Sequence, residues 1–295
     1  MNASFASDAA LEGMDLDGPT LAARLRALLE QGIHGLCFSA YAPGQSPADH
    51  HQLSEAQVKA RLEIIAPHTQ WIRTFACNEG NELAPPLAHE MGLKTLVGAW
   101  IDDDEEKNEA ELERVIALGR AGHADLIAVG NEVLLREELS EDAIIRAIER
   151  VRAAVPGVPV GYVDAYYIFV QHPRLVAACD FLPINCYPFW ESCPLEQSLG
   201  HVQEMVRRVQ AVVGDKPVLI AETGWPTEGT PEGPAVPGME NAARYALSLI
   251  KWADGASVPL FWFSAFDEAW KVGDEGDCGA YWGFWDADGV LKSGE

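Results

Sequence analysis

Two glutamates stand at the ends of two apolar runs of this chain. Glu132 closes residues 126–132 (LIAVGNE), and Glu222 lies inside residues 217–226 (PVLIAETGWP). Short apolar runs of this kind are typical of strands that are buried on both faces. Two carboxyl groups that face one cleft can break a glycosidic bond, one as acid and the other as nucleophile or base. The alternative is that each glutamate caps a loop or pairs with an arginine, but two in matching contexts favour a catalytic pair.

The rest of the chain alternates between strand-like and helix-like segments. Between the strand-like runs, apolar residues recur at three- and four-residue spacing, as in amphipathic helices. About eight βα units in roughly 250 residues are the size of a (β/α)8 barrel. A doubly wound sheet is the alternative, but no glycine-rich phosphate turn follows an early strand. We therefore predict an α/β fold, a single (β/α)8 TIM barrel that forms one domain over residues 1–295. The predicted strands are residues 35–40, 71–75, 95–100, 126–129, 160–163, 181–185, 218–221 and 260–264.

Polar residues follow these predicted strands, where a barrel of this type carries its catalytic groups. Arg73 is expected to supply positive charge for an ionised carboxylate, although a structural salt bridge would use the same residue. Asn131 offers an amide that suits a sugar hydroxyl. Tyr187 is expected to steady the nucleophile, with a buried core tyrosine as the alternative. The residues predicted at strand ends are Tyr41, Arg73, Asp102, Asn131, Glu132, Asp164, Tyr187, Glu222 and Glu268.

Tryptophans are concentrated in the last part of the chain. Flat indoles can lie against the apolar faces of sugar rings, while hydrogen bonds satisfy the polar edges. Several of them are expected in the core, whereas Trp225 and Trp270 adjoin loop residues and are predicted to be sugar platforms. The tryptophans of this region are Trp190, Trp225, Trp262, Trp270, Trp282 and Trp285.

Charge and hydropathy exclude several classes of partner. The net charge of −24 makes nucleic acid and anionic membrane surfaces poor partners. Residues 1–20 have neither the basic start nor the apolar core of a signal peptide. The longest apolar stretch, residues 258–266, is too short to cross a bilayer. We expect either a cytoplasmic protein or a domain cut from a longer chain, with no membrane insertion by this segment.

Neither a metal nor a cofactor is predicted. The six cysteines show no zinc spacing and are expected to be free thiols. The acidic run at residues 102–113 holds eight carboxylates, but their order does not match a calcium-binding loop. We interpret this run as the solvated start of a helix, where acidic side chains are favoured by the helix dipole.

Five segments together match the pattern of one enzyme family. They are residues 129–133 (VGNEV), 221–226 (AETGWP), 72–74 (IRT), 185–188 (NCYP) and 266–271 (FDEAWK). Over roughly residues 32–290 the chain resembles glycoside hydrolase family 17, the β-1,3-glucanase and β-1,3-glucanosyltransferase family.

The resemblance implies a (β/α)8 barrel and a retaining double displacement. It implies that Glu132 is the acid/base and Glu222 the nucleophile. Residues 38–47 (FSAYAPGQSP) look like bacterial members, some of which are domains of membrane glucan synthases. A periplasmic or extracellular domain of a bacterial membrane protein would then be expected. Phe75 and Ala76 depart from the family, in which many members have Tyr and Gly. The positions that match the family's cleft are Tyr41, Tyr187, Glu268 and Lys271.

The predicted function is a retaining enzyme that acts on β-1,3-glucan or β-1,3-gluco-oligosaccharides. Water would resolve the covalent intermediate in a hydrolase, and a sugar hydroxyl would resolve it in a transglycosylase. The sequence leaves these two outcomes open, and it does not predict an oligomeric state. The alternative is a non-catalytic β-glucan-binding domain of a larger glucan synthase or sensor. Such a domain would need aromatic residues but not both glutamates together with Arg73 and Asn131.

Overall fold

The computed structural model describes residues 11–292, apart from the side chain of Asp274. Within that range the chain forms a closed barrel of parallel strands in sequence order, with β8 paired to β1. The predicted (β/α)8 TIM barrel is confirmed, and each predicted strand is present. The strands are β1 Ile33–Cys37, β2 Thr69–Arg73, β3 Lys94–Ala99, β4 Leu126–Asn131, β5 Val160–Ala165, β6 Leu182–Asn185, β7 Val218–Thr223 and β8 Leu260–Trp262.

Helices surround the barrel and bury its outer face. The first helix precedes β1 and packs against the ninth, beside the point where the barrel closes. The helices are α1 Gly18–Gln31, α2 Glu55–Ile65, α3 Ala84–Glu90, α4 Glu105–Arg120, α5 Glu141–Ala154, α6 Tyr166–Gln171, α7 Pro173–Ala178, α8 Leu195–Val213, α9 Met239–Ala256 and α10 Val272–Glu275.

Local sequence explains where several helices begin. Ser140 caps α5, because its hydroxyl accepts the backbone N–H of Ala143. Asp104 caps α4 by accepting the N–H groups of two residues in the first turn. Side-chain caps of this kind satisfy donors that the helix leaves unpaired. The long helices α5, α8 and α9 then turn their apolar faces onto strands that are themselves buried.

Three strands run further toward the polar rim than their apolar runs predicted. β4 ends at Asn131, β5 at Ala165 and β7 at Thr223, two residues later in each case. The pairing register shifts near the rim ends of β4, β6 and β7. Irregularities of this type re-aim side chains and are common beside active sites. The rim residues are therefore held by the sheet itself, which positions them more firmly than loops would.

The structure corrects the interpretation of the acidic run. Glu111 is 1% exposed, and its Oε2 accepts the backbone N–H groups of Cys77 and Trp100 at 2.8 and 3.0 Å. Burial raises the pKa of this carboxyl to about 7. Glu111 thus ties the segment after β2 to the end of β3 instead of standing in solvent, because helical periodicity turns it inward toward the strands.

The six cysteines are buried free thiols, as predicted. Among residues 11–292, no helix has the length and apolar character needed to cross a membrane. In the same range, no three His, Cys, Asp or Glu side chains are grouped as a metal ion would require.

Candidate active site

Glu222 lies near the end of β7, where its carboxylate is held on both oxygens. Arg73, at the end of β2, donates from Nη1 to Oε1 at 2.6 Å. Tyr187, just beyond β6, donates from its hydroxyl to Oε2 at 2.7 Å. Burial, and after it the negative charge of Glu222, holds the pKa of Tyr187 well above its ordinary value. The phenol therefore keeps its proton and acts as the donor. Both oxygens of Glu222 are thus held by hydrogen bonds, one from a buried cation and one from a phenol, and a bond between charged partners is the stronger kind.

Arg73 connects three strands of the barrel. Its second nitrogen, Nη2, donates to Oδ1 of Asn131 at 2.8 Å, while Nη1 also donates to the carbonyl oxygen of Ala221 at 3.4 Å. The guanidinium is 1% exposed and lies 4.3 Å from the centroid of the Phe75 ring. One buried cation therefore orients both Glu222 and Asn131.

Glu132 follows β4 in a different environment. Its backbone has a φ of 55°, a left-handed value that non-glycine residues adopt infrequently and that is often found at functional sites. Asn185 donates from Nδ2 to Oε1 of Glu132 at 2.8 Å. Burial, followed by the negative charge of Glu222, raises the pKa of Glu132 to about 7. This carboxyl group can therefore hold a proton near neutral pH.

The two carboxyl groups thus have separate electrostatic roles. Glu222 has a buried cation as its neighbour, whereas Glu132 has a neutral amide and the charge of Glu222. Two titratable groups in opposing environments are the pattern that divides acid and nucleophile in glycosidases. Asn185 was not among the residues singled out from the sequence. Its place at the end of β6, directly before a strand-end loop, is the signal that could have found it.

Glu268 and Lys271 form a second buried ion pair, with Nζ of Lys271 2.7 Å from Oε2 of Glu268. Burial alone would lower the pKa of Lys271, but the negative charges of Glu268, Glu275 and Glu222 together outweigh burial and the pKa is raised. The ammonium group lies 3.8 Å from the centroid of the Phe263 ring. Phe263 in turn meets the ring of Tyr187 edge to face. This pair is therefore connected through one aromatic ring to the group that holds Glu222.

Tyr41 and Trp270 lie together, with their rings edge to face at 6.4 Å. The hydroxyl of Tyr41 accepts a hydrogen bond from Asn81 at 3.1 Å. Trp270 is partly exposed, and Lys271 lies 5.3 Å from its ring. These two residues remain predicted as substrate contacts.

Trp225 does not fit its prediction as a sugar platform, and that prediction is wrong. Its side chain is wholly buried, its Nε1 donates to the carbonyl oxygen of Val236 at 2.9 Å, and its ring packs on Phe189 and Tyr245. An indole without an accessible face cannot stack on a sugar. Trp190 is 39% exposed and rests on Phe189 and Trp282, so its indole offers a free face.

Comparison with known proteins decides the family. The sequence model of the BtgE/BtgC glycoside hydrolase domain matches residues 35–283. The chain belongs to this family. The glucan 1,3-β-glucosidase of Schizosaccharomyces pombe is 31% identical to this BtgE/BtgC-type domain over 252 residues, which are 79% of this chain and 78% of the relative. The glucan 1,3-β-glucosidase of Candida albicans is 28% identical over 262 residues, 78% of this chain and 83% of that protein.

Solved structures agree with this assignment. The crystal structure of a glycoside hydrolase family 17 β-1,3-glucanosyltransferase from Rhizomucor miehei has a TM-score of 0.80 and 26% identity, covering 90% of this chain and 97% of that one. An active-site mutant of the Rhizomucor enzyme, solved with laminaritriose, also has a TM-score of 0.80, at 25% identity with the same coverage. The resemblance to family 17 is confirmed, and this BtgE/BtgC-type domain is a glycosidase. These relatives are fungal, so the bacterial character expected from residues 38–47 stays a prediction.

Replacing Arg73 with methionine should destabilise this glycosidase strongly. Removing one member of a buried ion pair leaves the other charge without compensation, and we expect a loss of about 3–5 kcal/mol in the free energy of unfolding. Urea unfolding followed by tryptophan fluorescence measures it. The matched control is Arg150→Met, whose guanidinium pairs with Glu109 at the surface and should contribute less than about 1 kcal/mol. Equal losses in both variants would contradict a structural role for the Arg73 pair.

Proposed function

We propose that this chain is a retaining glycosidase that acts on β-1,3-linked glucan by double displacement. Glu222 is the nucleophile and Glu132 the acid/base. The observation that carries this proposal is the contrast between the two carboxyl groups. Glu222 is paired with buried Arg73, whereas Glu132 has its pKa raised to about 7. A pair of carboxyl groups with one ionised and one protonated can perform both halves of the reaction.

In the first half, the carboxylate of Glu222 attacks the anomeric carbon while Glu132 gives its proton to the leaving oxygen. A covalent glycosyl ester forms and the glycosidic bond breaks. In the second half, Glu132 takes a proton from the incoming hydroxyl, whose oxygen displaces Glu222. Arg73 and Tyr187 hold the carboxylate in place throughout, since both already contact it.

Asn131 is proposed to bind the sugar at the reacting ring. Its Oδ1 is occupied by Arg73, which leaves the Nδ2 donors for a hydroxyl group. Hydrogen bonds to the sugar 2-OH strengthen as the transition state develops. The amide is thus oriented by the same guanidinium that orients the nucleophile.

Aromatic and charged groups are proposed to bind the neighbouring sugar units. Indoles with an accessible face are suited to sugar rings, which favours Trp190 and Trp270. The remaining proposed substrate contacts are Tyr41, Tyr187, Glu268 and Lys271.

Hydrolysis and transfer use the same covalent intermediate, and both activities appear among the relatives. The Schizosaccharomyces relative is named a glucan 1,3-β-glucosidase, and the Rhizomucor neighbour is a β-1,3-glucanosyltransferase. We infer that the substrate is a β-1,3-glucan or a β-1,3-gluco-oligosaccharide in either case. This inference is supported by the Rhizomucor enzyme, an active-site mutant of which was solved in complex with laminaritriose.

The test is mass spectrometry of the products formed from a β-1,3-gluco-oligosaccharide of one defined length. We expect shorter products, and longer ones as well if a sugar hydroxyl competes with water. A β-1,4-linked oligosaccharide of equal length serves as the control for linkage and should remain intact. An unchanged β-1,3 substrate, with binding demonstrated by calorimetry, would contradict the proposed function.

A further inference from the structure

Two buried side chains of β5 lie directly behind the turn that carries Glu132. The hydroxyl of Tyr162 donates to Oδ2 of Asp164 and accepts the backbone N–H of Leu134 at 2.8 Å. The other oxygen of Asp164 accepts the N–H of Ala165 at 2.7 Å. Both side chains have no exposed surface, and burial raises the pKa of Tyr162 above its ordinary range. The phenol therefore stays protonated and bridges the carboxylate to the turn.

The turn that this pair supports is under backbone strain. Glu132 has its φ of 55° and Gly130 has 89°, and a side chain at Gly130 would meet the ring of Tyr162 at 3.1 Å. The N–H of Glu132 donates to the carbonyl oxygen of Val163 at 2.8 Å. Strained conformations persist only where surrounding contacts hold them. In this turn, strand β5 provides those contacts on both sides of Glu132.

We propose that Tyr162 and Asp164 are positioning residues for the general acid, holding the Glu132 turn so that its carboxyl group reaches the leaving oxygen. This inference rests on the proposed role of Glu132. Neither residue touches the nucleophile network in the structure, so they act through the turn. A displacement of about 1 Å in a catalytic group can lower a rate by about 100-fold.

The charge of Asp164 also acts on Glu132. The groups that face Glu132 are Glu222 from β7, Asp164 from β5, the phenol of Tyr167 from α6, Arg136 from the turn itself and the neutral amide of Asn185 from β6. Glu222 and Asp164 raise the pKa of Glu132, while Arg136 and Asn185 lower it. The carboxylate behind the turn therefore helps the acid to keep its proton.

Tyr162→Phe tests the positioning role because it removes one hydroxyl and keeps the ring. We expect kcat/KM for a β-1,3-gluco-oligosaccharide to fall by roughly 10- to 100-fold. For an aryl glycoside with an activated leaving group, which needs little acid assistance, the change should stay within about threefold. The ratio of the two rate constants does not depend on the folded fraction, so a loss of stability alone cannot change it.

Glu111→Gln is the matched control. Its carboxyl group is also buried and also accepts backbone N–H groups, but it holds the segments after β2 and β3. We expect the Glu111→Gln variant to have a lower melting temperature but an unchanged ratio of kcat/KM on the two substrates. Asp164→Asn provides a second measurement. Loss of the Asp164 charge should lower the pKa of Glu132, so the fall of kcat/KM on the alkaline side of its pH profile should move to lower pH by about half a unit or more.

The outcomes separate this inference from the proposed function. The positioning role is supported if the ratio of kcat/KM on the oligosaccharide to kcat/KM on the aryl glycoside changes in Tyr162→Phe but not in Glu111→Gln. It also requires that the alkaline limb of the pH profile be shifted in Asp164→Asn. An unchanged ratio in Tyr162→Phe, when Glu132→Gln changes it, overturns the positioning role and leaves the acid in place. An unchanged ratio in Glu132→Gln overturns both.

Discussion

Replacing Glu222 with alanine is expected to abolish turnover while the protein still binds its sugar. Without the carboxylate no glycosyl ester can form, and we expect kcat to fall by roughly 10⁴-fold or more. Arg73 and Tyr187 would lose their shared acceptor, but the other proposed sugar contacts would remain. Initial rates on a β-1,3-gluco-oligosaccharide measure the loss, and calorimetry on the same variant measures binding.

Chemical rescue distinguishes a missing nucleophile from a damaged protein. In the Glu222→Ala variant, azide can enter the space that the carboxylate leaves. It can then attack the anomeric carbon of an activated aryl glycoside from the face that Glu222 attacks in the unsubstituted enzyme. The product would be a glycosyl azide of inverted configuration, with the phenolate as leaving group. Glu204→Ala on α8, which removes a solvent-facing carboxylate paired with Arg207, should keep full activity. Near-normal turnover by Glu222→Ala would refute the nucleophile assignment.

Glu132→Gln is expected to act selectively on substrates with poor leaving groups. The amide keeps the size of the side chain and its contact to Asn185 but cannot donate a proton to the leaving oxygen. General acid catalysis contributes about 10²- to 10⁴-fold, so we expect a loss of that size on the oligosaccharide. On an activated aryl glycoside the first half-reaction should be nearly unaffected, which rapid-mixing measurements of aryl release would show.

The pH profile provides an independent test of the same residue. Glu132 must be protonated in the free enzyme, and burial together with Glu222 raises its pKa to about 7. Because the protonated form is lost as the pH rises through that value, kcat/KM for the oligosaccharide should fall above about pH 7. The Glu132→Gln variant should lack this alkaline limb. Equal losses on both types of substrate, or a limb that persists in the variant, would exclude Glu132 as the acid.

The sequence by itself determined the barrel, the two catalytic candidates and most of their neighbours. Apolar runs at regular intervals predict parallel strands, and a parallel barrel brings every carboxyl strand end to one rim. The residue that follows a strand is therefore placed near the site by topology alone. This is why Arg73, Asn131 and Tyr187 could be assigned to the same cleft as the two glutamates before any contact was known.

Only the tertiary structure decided how deep each rim residue lies and which partner it has. Trp225 adjoins a loop in the sequence, yet residues from α9 and two loops cover it completely. Glu111 stands in an acidic run but turns inward to bind two backbone N–H groups. Burial and pKa depend on segments that are distant along the chain, and these are brought together only when the barrel closes. The raised pKa of Glu132 likewise depends on its burial and on groups of β5, β6 and β7 packed around it, which no local pattern of residues contains.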